Sequence, residues 1–192
     1  MKKNMLIALL MTVVTTLVLG IAYPLVVTAA AQLLFHDKAN GSIVYRNGTA
    51  VGSRLIGQSF TGDKYFHSRP SAAGNGYDGL ASGGTNLGPA SQKLADGIAA
   101  RVAAERAAKI AEAANVPAVP VDLVTASASG LDPDITPAAA EFQLARVARA
   151  RGLSVETLRS IVAKHTFGRQ LGILGEPRVN VLELNLDLDQ LR

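Results

Sequence analysis

Residues Met5 to Val27 read MLIALLMTVVTTLVLGIAYPLVV, and no charged side chain occurs from Met5 through Phe35. Lipid offers the backbone no hydrogen-bond partner, so an apolar stretch that crosses a bilayer must be a helix satisfying its own N–H and C=O groups. About 20 apolar residues at helical rise cross a hydrocarbon core of about 30 Å. The run spans, with a few residues left for tilt. Lys2 and Lys3 before it, with Ala29, Ala30 and Ala31 after it, also match a secretory signal with a small-residue cleavage site. Signal cores extend over only about 7–15 apolar residues, so a retained anchor is the expected reading. The two lysines keep the N-terminus in the cytoplasm. Residues 1–34 then form a cytoplasmic stub and transmembrane anchor in the cytoplasmic (inner) membrane, and residues 35–192 an exoplasmic domain.

Within the span, Ala8, Thr12, Thr16 and Gly20 recur every four residues. They form a ridge of small side chains that lets a second helix approach, with threonine hydroxyls able to bond across. Small residues are also common in spans for no such reason. Pro24 is expected to kink or end the helix near the outer surface, with Tyr23 as an interfacial aromatic.

The chain has 192 residues and a net charge of +4. Without the anchor about 155 residues remain, enough for one domain with its own core. Removing Lys2 and Lys3 from the 19 basic residues leaves 17 against 15 acidic ones, and so near-balance gives no footprint for nucleic acid. Cysteine is absent, which excludes disulfides, thiol catalysis and thiolate metal sites. Tryptophan is absent and aromatics are few, so no ligand-stacking platform is suggested.

The expected fold is a single transmembrane helix followed by an α+β domain: a hairpin, three helices, long ordered loops and a C-terminal strand. Asn47-Gly48 between two short apolar runs signals a hairpin, with strands at Ser42–Arg46 and Thr49–Leu55. From Ile56 to Pro89 glycine, serine and asparagine interrupt any apolar period, which marks a functional loop region anchored by Tyr65, Phe66, His67 and Arg69. A helix is expected from Pro89 to Asn115, and Asp122–Thr125 reads as a short strand or a buried turn. Thr136-Pro137 opens a helix that Gly152 closes, and Ser154 caps another running from Val155 to about His165. Val179–Asp189 (VNVLELNLDLD) alternates Leu182, Leu184, Leu186 and Leu188 with polar residues, the period of a half-buried strand, with Val179 and Val181 out of phase.

Motifs for chemistry are sparse. Gly74, Gly76 and Gly79 satisfy GxGxxG without the preceding strand that a dinucleotide site needs. Leu80-Ala81-Ser82-Gly83-Gly84 is similar to the signature loop of cassette-type transport ATPases, but it is short and lies on the side of the membrane without ATP, so a structural loop is expected. Ser127 and Ser129 lack the GxSxG context of a nucleophile. His36, His67 and His165 have no second ligand at helical spacing, so no metal is assigned. Arg146, Arg149 and Arg151 form a basic helix patch, expected to be a solvated face or the dock for an acidic neighbour.

Several segments together resemble the C subunit of the Kdp-type potassium-transporting ATPase. They are the anchor with Tyr23 and Pro24, GSRLIGQSF (Gly52–Phe60), YFHSRPSA (Tyr65–Ala72), SGGTNLGP (Ser82–Pro89), DLVTASASGLDPDITPAAA (Asp122–Ala140) and HTFGRQLGILGEPRVNVLELNLDLD (His165–Asp189). At Asp134 the resemblance would have Asn or His. It implies a non-catalytic accessory subunit of a high-affinity potassium uptake pump, partnered by a channel-like potassium-binding subunit and a P-type ATPase subunit in the membrane lipid. It also implies a catalytic chaperone that raises the ATP affinity of the hydrolysing subunit. No cofactor is assigned to this chain, ATP and potassium being handled by the complex. The chain has neither a DKTGT phosphorylation sequence nor a TVGYG filter, and one span encloses no pore. The ridge from Ala8 to Gly20 is the expected helix-packing face. The segments Tyr65–Pro70 and Ser127–Pro133, with Tyr65, Phe66, His67, Arg69, Ser127, Ser129 and Asp132, are the expected partner interface. The alternative is a membrane-anchored exoplasmic enzyme or binding module that acts alone.

Overall fold

A computed structural model describes residues 1–110 and 118–191. The chain divides into two compact units, Met1–Ala50 and Val51–Arg192.

The first unit is dominated by a continuous apolar helix, Lys2–Leu34, none of whose residues is buried. At about 1.5 Å per residue its 33 residues measure about 50 Å, longer than a hydrocarbon core. It consists of α1 (Lys2–Thr15), a π-helical segment (Thr16–Ala22) and α2 (Tyr23–Leu34). The helix does not end at Pro24. Proline lacks an N–H, and its ring collides with the carbonyl four residues back, here that of Gly20. The wider π turns lie just before it: the Tyr23 N–H bonds to the Val18 carbonyl, five residues back, so the helix continues. Phe35 leaves helical geometry, and a second break follows α3 (His36–Ala39). Asn40 fastens this corner through a reciprocal amide pair with Gln32 (3.2 and 3.1 Å) and a bond to the His36 carbonyl at 2.7 Å. Strands β1 (Ile43–Arg46) and β2 (Thr49–Ser53) form the expected hairpin, with Asn47 and Gly48 at φ of +50° and +77°.

In the second unit, α4 (Gln92–Ile110) begins later than Pro89 because residues Gly88–Ser91 form a turn and the first helical turn closes on the Ser91 carbonyl. The expected continuation to Asn115 lies outside the described residues. Asp122–Thr125 proves to be mostly a single helical turn, α5 (Val121–Val124), with Asp122, Leu123 and Val124 buried. Helices α6 (Pro137–Arg151) and α7 (Val155–Lys164) carry the expected caps: Thr136 accepts from the Ala139 N–H, Ser154 from the Thr157 N–H, and Gly152 closes α6 in the left-handed conformation. Strands β3 (Asp134–Ile135), β4 (Thr166–Phe167) and β5 (Arg178–Asn180) make an antiparallel sheet in the order β3-β5-β4, with Val179 opposite both Ile135 and Thr166.

The C-terminal strand expected over Val179–Asp189 is not there. Only its first two residues belong to β5, and Val181–Leu188 is a helix, α8. Asn180 caps it by accepting from the Glu183 N–H at 3.1 Å. Its deepest buried positions are Val181, Leu184, Asn185 and Leu188, at i, i+3, i+4 and i+7, the helical period. Val181, out of phase for a strand, is in phase for this helix. The core gathers Phe66 with Leu144 and Val147 of α6, Leu158 of α7, Val179 of β5, and Leu184 and Leu188 of α8.

Candidate functional site

Within the long loop region, the segment Tyr65–Pro70 runs against the core without pairing to any strand. Its backbone polar groups therefore need side-chain partners, and two amides supply them. Asn185 of α8, 0% exposed, accepts from the Phe66 N–H and donates to the Phe66 carbonyl, both at 2.9 Å. Gln143 of α6 does the same for His67, at 2.7 and 3.2 Å. Each amide mimics the neighbouring strand that the segment lacks. Phe66 fills the core at 0% exposure, so it holds the segment down and offers a partner no surface.

The loop before this segment is stapled by arginine. Arg146 donates to the carbonyls of Asp63 (2.9 Å) and Gly62 (3.3 Å), and Arg151 to those of Lys64 (2.6 Å) and Leu188 (2.7 Å). Arg151 also pairs with Asp189 at 2.8 Å, which accepts from the Tyr65 hydroxyl at 3.2 Å, and its guanidinium lies 5.2 Å from the centre of the Tyr65 ring. Two of the three basic residues of α6 are thus not a solvated face: Arg146 and Arg151 act as clamps, while Arg149 is exposed as expected. A guanidinium is suited to this because it presents several donors in a fixed plane.

The second expected interface segment, residues 127–133, lies beside the first. Arg69 pairs with Asp132 at 3.0 Å, the Gly57 N–H reaches the Leu131 carbonyl at 2.8 Å, and the Ser71 hydroxyl reaches the Gly130 carbonyl at 2.6 Å. Ser127 is buried, and its carbonyl accepts from the Gly130 N–H. The Ser129 hydroxyl accepts from the Leu131 N–H at 3.1 Å. The Ser129 carbonyl takes bonds from the Gly83 N–H (2.8 Å) and the Ser82 hydroxyl (3.0 Å). Leu80–Gly84 is therefore docked on residues 127–130, and two of its polar groups are already engaged there. Of the seven expected interface residues, Ser129 is exposed and Tyr65, His67, Arg69 and Asp132 are half-buried around this seam, while Phe66 and Ser127 are interior.

Next to the seam is a cleft of about 190 Å³ whose lining includes Arg69, Asp122, Asp132, Asp134 and Arg178. Asp122 accepts from the Thr136 N–H and hydroxyl, bracing the cap of α6. Arg178 pairs with Asp134 at 2.8 Å, and Asn180 donates to the same carboxylate at 3.1 Å. Burial pushes the Asp134 carboxyl above its ordinary value against the pull of Asn180 and Arg178, with Asp132 adding to the rise. The pairs Arg69–Asp132 and Arg178–Asp134 serve as struts between β3, β5 and the Tyr65–Pro70 segment, while Asp122 is held by Thr136. Among the described residues, no group of three metal-ligating side chains could hold an ion.

His67 is the titrating group of the seam. Burial, and then the neighbouring Arg146, hold it below its ordinary 6.5, against the opposing pull of the Gly62 carbonyl and Asp63. A depressed value means that the fold prefers neutral histidine. Its contribution is complete above about pH 6.5, the ordinary value, and is lost as pH falls from there toward the depressed value of the folded chain. Thermal melts at pH 7.5 and pH 5 are expected to show a larger acid destabilisation for the native chain than for His67→Gln; equal acid shifts contradict this.

The sequence indicated none of the amide clamps. Gln143 lies on the buried face of a well-bounded helix, and Asn185 interrupts the apolar stripe of α8. A lone amide at a core position of a helix was the available signal.

On the four-residue ridge of the apolar helix, the Thr12 hydroxyl donates to the Ala8 carbonyl at 2.9 Å, within its own helix. A Cβ on Gly20 would sit 3.8 Å from the Thr16 methyl, so Thr16 and Gly20 stay on one face through the π segment.

The family described as KdpC: K+-transporting ATPase, c chain, matches residues 5–190. Proteins named potassium-transporting ATPase KdpC subunit are similar along nearly the whole chain. The Koribacter versatilis protein is 64% identical over 98% of this chain and 95% of its own length. The Acidobacterium capsulatum protein is 54% identical over 96% of each, and the Mycobacterium tuberculosis protein 50% identical over 100% of each. With a family match of this extent and relatives covered end to end, the chain belongs to the KdpC family, the c subunit of the K+-transporting ATPase.

Proposed function

We propose that this chain is the non-catalytic accessory subunit of an ATP-driven potassium uptake pump, assembling and stabilising a channel-like potassium-binding subunit with a P-type ATPase subunit. The observation that carries the reading is the helix Lys2–Leu34, long, apolar and unburied within its own chain. Such a surface is covered by lipid, and in a subunit of a membrane pump it is also open to a neighbouring helix. Lys2 and Lys3 support a cytoplasmic N-terminus, with residues 35–192 as the exoplasmic domain in the inner membrane. A subunit so placed raises the ATP affinity of the hydrolysing subunit only by coupling between distant sites, carried through the helix.

The ridge Ala8, Thr12, Thr16 and Gly20 is the packing face within this proposal. Gly20→Leu is expected to weaken retention of the chain in the complex by on the order of 1 kcal/mol. Beyond the helix's own adjoining backbone, the new Cβ meets only the Thr16 methyl, at 3.8 Å, so a loss would report on a partner helix. Unchanged retention would remove the ridge from the proposal.

The test of the function is omission. Without this chain, the two partner subunits are expected to separate in mild detergent and to need more ATP for half-maximal hydrolysis. A two-subunit complex of native stability and native ATP dependence would overturn the proposal.

A further inference from the structure

Between β4 and β5 the chain leaves the sheet for a loop, residues 168–177, whose tip reads QLGILG (Gln170–Gly175). Its apolar side chains point away from the protein: Leu171 is 88% exposed, Ile173 74% and Leu174 54%. Three apolar side chains in four residues at the end of one loop are more than scattered surface hydrophobics.

The loop is built to hold that presentation. Gln170 and Leu174 exchange backbone bonds at 2.8 and 2.9 Å, closing the tip as a small ring. At its base, Arg169 grips both oxygens of Glu176, at 2.8 and 2.7 Å. Gly172 and Gly175 take positive φ, and so does Leu171, at +53°. A branched apolar residue adopts the left-handed region at a cost, and such outliers persist where the surroundings enforce them. A fixed, strained tip with its leucine in water is a shape prepared in advance, and preorganisation favours binding.

We propose that this loop is a docking finger, with Leu171 and Ile173 seated in an apolar socket on a protein subunit of the same assembly. The inference rests on the accessory-subunit reading above. Charge argues for a protein occupant over lipid. Anionic headgroups attract free clusters of Lys and Arg, but here the cations flanking the tip are matched: Arg169 with Glu176, and Arg178 with Asp134. With Glu176 answering Arg169, the base of the tip carries no net charge to draw it to an anionic surface. A defined shape also serves a socket, where complementarity matters, and is of no use in fluid lipid.

The test uses the full chain assembled with its pump subunits in mild detergent, with two alterations. Leu171→Gly removes the side chain and suits the backbone, because glycine takes positive φ without strain. It is expected to leave the melting temperature of the chain no lower, yet to increase its loss from the complex on washing by on the order of tenfold, as for an interface anchor. A photo-crosslinking amino acid in place of Ile173 is expected to attach to one pump subunit. Unchanged retention of Leu171→Gly, or adducts to lipid alone, would overturn the finger while leaving assembly intact. If the native chain itself fails to co-purify, the assembly reading falls first and the finger with it.

Discussion

Asn185→Leu is expected to lower the stability of the second unit by about 2–5 kcal/mol. Leucine keeps the branched shape of asparagine but is larger, so at this fully buried position some overpacking adds to the cost. What the substitution removes is the partner of two buried backbone groups, the N–H and C=O of Phe66, each bonded at 2.9 Å. An orphaned buried polar group costs about 1–3 kcal/mol, and Phe66 is fully buried, so water does not replace the amide. Hydrogen exchange measured by mass spectrometry is the direct check. The Phe66 amide is expected to be protected in the native chain and to exchange orders of magnitude faster in the variant, with Tyr65–Arg69 loosening as a unit. Equal protection in both would show that the Asn185 clamp does not hold the segment.

The second large effect is expected at Gly130, where the Leu80–Gly84 loop, the Ser71–Ala73 turn and residues 127–131 meet. Its φ is +66°, and a Cβ there would lie 2.6 Å from both the Ala73 nitrogen and the Gly83 oxygen. These are backbone atoms, so no side chain can swing aside. Strain of about 1–2 kcal/mol for the left-handed conformation adds to whatever the clash displaces, and Gly130→Ala is expected to cost about 3 kcal/mol or more. The break would free Ser129 from Gly83 and Ser82, so limited proteolysis is expected to cut within residues 74–88 in the variant well before the native chain. Equal cleavage rates would contradict the tight seam.

The sequence carried the local geometry well wherever one residue type has one physical use. The charge-free run from Met5 gave the long helix, Asn47-Gly48 gave the hairpin, and Thr136-Pro137 with Gly152 bounded α6 to the residue. It misled where a pattern admits two periods. Leucines at every second position from Leu182 to Leu188 read as a strand, but the face that packs is Val181, Leu184, Asn185 and Leu188, which a helix collects and a strand scatters. By its period a polar side chain at such a position reads as solvent-facing, although Asn185 is there to serve the Phe66 backbone.

The candidate site was legible in outline only. Tyr65–Pro70 and residues 127–133 do come together, joined by Arg69 and Asp132. Which side chains face outward was not legible, because Phe66 and Ser127 are drawn inside by contacts far away in sequence. Arg146 and Arg151 show the same limit: helix position suggests exposed charge, but the carbonyls of residues 62–64 that they hold become neighbours only after folding. Asp134, where the family resemblance would have Asn or His, finds its use as the partner of Arg178 and Asn180.

A chain that works only as part of an assembly stays with its partners when purified. With the native chain tagged after Arg192 and taken from a membrane expressing all pump subunits, dissolved in mild detergent, the channel-like and P-type ATPase subunits are expected to elute with it in constant ratio through size exclusion. A stable, monodisperse single chain, with both other subunits in the flow-through, would contradict it.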